Sequence, residues 1–178
     1  MKQPAASLQA RALDWLARRE HSRSELRRKL LRVALRPPLG AGASAEQEGS
    51  VDDAGAAEAA ARVEQLLDLL QAKGLLSEER FIESRLRVRA PAMGIRRIQL
   101  ELARHGLKLP PQPLQQLRDS ELQRAAQLWR RRFGATAQDP RERARQMRFL
   151  AGRGFSGDVI RQVLTGAAAV LEDDPTQG

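Results

Sequence analysis

The chain of 178 residues has no cysteine and no tyrosine, and it holds only two histidines and six aromatic residues. Without cysteine, disulfides and thiolate metal sites are excluded, and two histidines do not make a tetrahedral zinc centre. The scarcity of rings argues against base stacking as the main mode of single-strand recognition. The N-terminal stretch MKQPAASLQARALDW lacks the apolar run of a signal peptide, and nowhere do eighteen apolar residues follow one another. A soluble, cytoplasmic chain with no membrane association is therefore expected. GxxxxGK[ST], GxGxxG and HExxH are all missing, and the lone GRG at 152–154 reads as a turn. No catalytic residue, metal or cofactor is expected, and the chain reads as a non-enzyme.

The net charge is +9, and it is unevenly spread. Residues 1–36 carry ten basic and three acidic groups, 37–79 two and nine, 80–109 eight and two, and 110–178 eleven and eight. Basic blocks flanking one acidic block fit binding to a polyanion, with part of the positive field offset internally. Arginine far outnumbers lysine. That preference suits a bidentate grip on phosphate or carboxylate, and a GC-rich coding sequence would also produce it.

Apolar residues recur at helical spacing almost throughout, and runs of β-branched residues are missing, which predicts an all-α protein. The first helix is expected over about Leu8–Arg19. The second follows Ser22, with Leu26, Leu30 and Val33 on one stripe and Arg28 and Arg32 on another face, and it ends at Pro37-Pro38. A third helix carries Val63, Leu66, Leu67 and Leu70, with Gly74 at its C′ position. Ser77 caps a fourth, which takes in SRLRVRAP (84–91) despite its brief two-residue alternation. Helices bearing Ile95, Ile98 and Leu102, then over 114–133, 140–153 and 156–165, complete the chain. PPQP (110–113) marks a loop.

Two segments match without a gap. LARREHSRSELRRKL (16–30) and LAGRGFSGDVIRQVL (150–164) align Leu16 with Leu150, His21 with Phe155, Ser22 with Ser156, Leu26 with Ile160 and Leu30 with Leu164. A third copy around Leu70, Gly74, Leu75, Ser77 and Phe81 fits with one extra residue in the turn. Each copy reads as helix, tight turn with a buried apolar group, serine cap, helix. His21 then fills the place of a phenylalanine, and Ser22 and Glu25 form a capping box, so a hydrolytic His-Ser-Glu site is set aside. The repeat predicts tandem three-helix, helix-turn-helix-like modules in an elongated, curved array. The expected divisions are a first module over 1–36, an acidic Gly/Ala-rich linker over 37–56, a middle module over 57–109, a C-terminal module over 110–166 and a disordered tail over 167–178.

Three clusters of cations are candidates for a polyanion surface. They are Arg18, Arg19, Arg27, Arg28 and Lys29; then Arg85, Arg87, Arg89, Arg96, Arg97 and Arg104; then Arg130, Arg131 and Arg132. Any one of them could be a solvated face, and three in three modules point to contact with backbone phosphates or with a protein coating nucleic acid.

The blocks ALDWLARREHSRSELRRKL, LLDLLQAKGLLSEERFIESRLRVR and GIRRIQLELARHGL resemble the RecX family of regulators of bacterial recombination, over about residues 8–36 and 57–165. The resemblance implies tandem three-helix modules and a non-enzymatic monomer that takes part in DNA repair and the SOS response. Its implied partner is the RecA recombinase, above all the RecA filament on single-stranded DNA. Implied effects are to limit filament extension and to suppress ATP hydrolysis, strand exchange and co-protease activity. Arg27, Arg28, Arg85, Arg89, Arg96 and Arg97 would supply electrostatic contacts, while Leu26, Phe81 and Ile160 hold the modules. The sequence departs from the family in the long 37–56 segment, in Glu78 for an aspartate and in Ile82 for a small alanine. An independent DNA- or RNA-binding protein using such modules directly, with weak DNA binding at the least, and a purely structural helical scaffold are the other readings.

Overall fold

The computed structural model describes residues 7–35 and 53–172. Among them every regular element is helical: α1 (Leu8–Arg18), α2 (Arg23–Ala34), α3 (Asp53–Ala72), α4 (Glu78–Arg89), a 3-10 turn (Ala90–Ala92), α5 (Ile95–Ala103), α6 (Pro111–Arg132), α7 (Pro140–Gly152) and α8 (Gly157–Glu172). The chain divides into two compact units, Met1–Phe81 and Ile82–Gly178, the division falling inside α4.

The first unit is built on α1, α2 and α3. Ser22 ends the turn after α1 and accepts a hydrogen bond from the Glu25 amide at 3.1 Å, satisfying one orphan donor of α2. The expected stripes then meet: Ala12, Leu26, Leu30, Val63, Leu67, Leu70 and Leu76 form one buried cluster, edged by Trp15, Leu16 and Leu66. At 25 cal/mol per Å², each fully buried Leu contributes roughly 2 kcal/mol, so this seam is what holds α2 to α3.

One register needs correction. Leu75 was expected to be the buried turn residue matching His21 and Phe155, yet it is 43% exposed and Leu76 is 2% exposed. The turn closes as expected, with Gly74 at φ 67° and the Leu75 amide donating to the Leu70 carbonyl at 2.9 Å. The extra residue before Ser77 moves burial one place along, because the group that enters the core is the one just before the serine cap.

In the second unit Ala125, Trp129, Leu150, Phe155, Ile160, Val163 and Leu164 form the core between α6, α7 and α8. A buried polar pair sits within it: the Trp129 indole donates to Gln146 Oε1 at 2.9 Å, and Gln146 donates to the Ala135 carbonyl at 3.2 Å. Ile98 and Leu102 of α5 and Leu117 of α6 are buried as well.

Three boundaries differ from expectation. PPQP does not form a loop: Pro110 is the N-cap and Pro111 opens α6, since the first helical turn leaves its amides unbonded and tolerates proline. α3 starts at Asp53 and takes the last residues of the expected 37–56 linker, whose remainder lies outside the described residues. α8 continues to Glu172 through the Ala-rich 167–169, where the helix had been expected to stop near Thr165. The rest of the expected tail, 173–178, lies outside the described residues.

Candidate partner-binding surface

Within Met1–Phe81 the cations are mostly engaged by the unit's own groups. Arg18 pairs with Asp14 at 3.0 Å, one turn away on α1. Arg19 grips both oxygens of Glu25 and so braces the turn before α2. Arg23 reaches across to α3, to Glu64 at 2.6 Å and Asp68 at 2.8 Å, and Arg27 bonds the same Glu64. Arg80 bonds Glu20 at 2.8 Å. Arg28 is exposed, without an ion pair among the described residues.

Lys29 and His21 form a separate arrangement. His21 is buried, its Nδ1 lies 2.9 Å from the Arg19 carbonyl, and its Nε2 lies 2.9 Å from Lys29 Nζ. A carbonyl can only accept, so Nδ1 carries the proton and Nε2 accepts from the ammonium, which makes the ring neutral. Burial lowers the His21 pKa, with Arg19 and Lys29 adding to the effect against the opposing pull of Glu25 and the carbonyl bond. Lys29 also lies 5.2 Å from the Trp15 ring centre. For Glu25, burial would raise the pKa, but the hydrogen bonds and charge of Arg19, with the charge of Lys29, hold it below the ordinary value. The hydrogen bonds from Arg27 and then Arg23 lower that of Glu64 in the same way.

In Ile82–Gly178 the arrangement is different. Arg85 and Arg89 share Glu101, at 3.7 and 3.2 Å. Arg87, Arg96, Arg97, Arg104, Arg130, Arg131 and Arg132 are exposed, and none has an ion pair among the described residues. Arg85, Arg89, Arg97 and Arg104 line a trough of about 420 Å³ beside Glu101 and His105. Arg97 and Leu100 also line a neighbouring groove of about 700 Å³, where Arg96 joins Met147, Arg148, Ala151, Phe155, Ile160 and Arg161. The six-arginine block between Arg85 and Arg104 thus adjoins arginines of α7 and α8 that lie some fifty residues further on. Arg131 and Arg132 lie apart, in a hollow with Phe149 and Arg153.

Arg148, Arg153 and Arg161 were not among the sequence candidates. What brings the first and last to α5 is a backbone contact between glycines. The Gly94 amide donates to the Arg153 carbonyl at 2.9 Å, and a Cβ on Gly94 would lie 2.3 Å from the Gly154 carbonyl carbon. Gly154 has φ +86° and would set its own Cβ 2.5 Å from that of Arg97. α6 fixes the same place from the other side. Glu121, buried, accepts from the Ile95 amide at 2.9 Å and caps α5, while Arg124 donates to the Ala90 and Met93 carbonyls, both at 2.6 Å. Burial lowers the Arg124 pKa despite the neighbouring Glu121.

No three His, Cys, Asp or Glu side chains among the described residues are placed to hold a metal ion, and no described helix is long and apolar enough to cross a membrane.

Comparison with known proteins gives a consistent result. The family model for the third three-helix domain of RecX matches residues 119–164. The regulatory protein RecX of Leptothrix cholodnii is 45% identical over 163 residues, spanning 90% of this chain and 89% of the relative. That of Herbaspirillum seropedicae is 42% identical over 178 residues, spanning 99% and 100%. The crystal structure of RecX from Lactobacillus salivarius superposes with a TM-score of 0.61 at 14% identity, covering 91% of this chain and 95% of that one, a likeness of fold.

Proposed function

The chain belongs to the RecX family of regulatory proteins, and on that premise we propose that it binds the RecA recombinase and its filament on single-stranded DNA in the cytoplasm. Bound there as a monomer, it limits filament extension and lowers ATP hydrolysis, strand exchange and co-protease activity without a reaction of its own. The observation that supports this reading is the run of exposed arginines in Ile82–Gly178 that have no acidic partner among the described residues. A guanidinium left without an internal carboxylate is available to one on a recombinase or to a phosphate on its DNA.

DNA-dependent ATP hydrolysis by RecA, followed as this protein is added, tests the proposal. A progressive fall in turnover by an equimolar ratio is expected; unchanged turnover there would overturn it. The same exposed arginines favour a second reading, direct binding to nucleic acid. Tight binding to duplex in the absence of any recombinase, with about one unit of salt slope per phosphate contact, would favour that alternative.

A further inference from the structure

The groove bounded by α5, α7 and α8 differs from the adjoining trough beside Glu101 in having a mostly apolar floor under its arginines. Leu100 is 53% exposed and Met147 42% exposed, facing the same space over Phe155 and Ile160. Large apolar groups held together in water mark a surface that is covered in use. Arg96, Arg97 and Arg148 stand around them, and no carboxylate is among the groove's lining residues.

We infer that this groove is the docking site for an acidic protein segment carrying apolar anchor side chains, and not a track for a nucleic-acid backbone. Phosphates would satisfy the arginines but leave Leu100 and Met147 against hydrated sugar and phosphate. Base stacking gives no alternative, because Phe155 is buried below the floor. An amphipathic acidic segment meets both requirements: its carboxylates face the guanidinium rim, and its apolar side chains replace water over Leu100 and Met147. The flexible thioether of Met147 adapts to anchors of different shape. The floor is also held before any partner arrives, since the contact between Gly94 and Gly154 fixes α5 against the α7–α8 turn. A preformed groove spares part of the ordering cost of binding.

The probe is a fluorescein-labelled peptide about 14 residues long, rich in Asp and Glu, with Leu and Phe at helical i, i+3, i+4 and i+7 spacing. Fluorescence anisotropy with the full-length chain at physiological salt measures its affinity, with two comparators: the same peptide with Ser at the anchors, and oligo-dT of equal charge. The amphipathic peptide should bind at least about tenfold tighter than the Ser form. Leu100→Glu and Met147→Glu should each remove about tenfold of that affinity, while Gln127→Glu on the exposed face of α6 changes nothing. Both positions in the groove are already exposed, so circular dichroism should give melting curves like that of the unmodified chain. Equal binding of the Ser peptide, displacement by oligo-dT at matched charge, or binding that appears only when residues 37–52 or 173–178 are deleted would each overturn the inference. The last outcome would make the chain's own acidic segments the occupant. None of these results alters the ATP hydrolysis test, so the two ideas fail separately.

Discussion

Met1–Phe81 contains thirteen basic and twelve acidic residues, net +1, whereas Ile82–Gly178 contains eighteen and ten, net +8. In the first unit Arg19, Arg23, Arg27 and Arg80 tie turns and helices to one another through Glu25, Glu64, Asp68 and Glu20. In the second, the half-buried Arg124 does that work through backbone carbonyls, and the exposed arginines around α5 and α7 are left over. A cluster of arginines in a sequence is therefore not one kind of object. Its role depends on whether the opposite helix supplies carboxylates, and α3 supplies them to α2.

Trp15 reports on the first unit and Trp129 on the second, so single-tryptophan variants can follow each unit separately. The largest effect is expected from Gly154→Val. It forces a β-branched residue into positive φ and onto the Arg97 backbone, and it should cost the second unit more than about 3 kcal/mol, read as a shift of the Trp129 denaturant transition. A shift of only a few tenths would mean that the turn can move away from α5. Next, replacing Arg96, Arg97 and Arg148 together by alanine should weaken RecA inhibition by about a hundredfold, roughly 2.7 kcal/mol, while the Trp129 melting curve barely moves. If inhibition is untouched, the unpaired arginines of this unit are merely solvated.

Arg23→Ala should do the reverse. It costs the first unit about 1 kcal/mol by releasing Asp68 from α2 and leaving Glu64 to Arg27 alone, and it leaves inhibition of ATP hydrolysis unaltered. A loss of inhibition with no loss of stability would erase the distinction between the units.

The pH response sharpens it further. The His21 pKa is lower folded than unfolded, so between the two values the unfolded chain binds more protons and stability rises with pH. The first unit should thus hold its full contribution above about pH 6.5 and lose it as the pH falls below that value. Glu25 and Glu64, also depressed, lose theirs further down, starting at the ordinary carboxylate range and continuing below it. His21→Phe should flatten the Trp15 stability profile between about pH 6.5 and 5; an unchanged slope there would reject the neutral, lysine-bonded ring. Smallest of all, Arg18→Ala should move stability by about 0.3 kcal/mol, since both members of its pair are exposed.

Much of the fold was legible in the chain. Helical periodicity, the serine caps and the Leu-to-Gly turn spacing each depend on residues within a few positions of one another, and such interactions are written locally. The Leu75 reading failed for the same reason it was attempted: counting back from Ser77 and counting forward from Gly74 give different answers when a turn gains a residue. The role of Glu121 was not legible, because a glutamate within α6 has no local sign that it caps a helix beginning at Ile95.

The sequence alone determined that the protein is all-α, that its modules repeat, that no thiolate chemistry is available to it, and that a strong positive charge resides mainly after residue 81. Only the tertiary structure decided which arginines are spent inside and which face outward. It also decided that Arg96 and Arg97 share a groove with Arg148 and Arg161. The physical reason is that a salt bridge across helices and a contact between two glycine backbones join residues tens of positions apart, where neither partner carries any mark of the other.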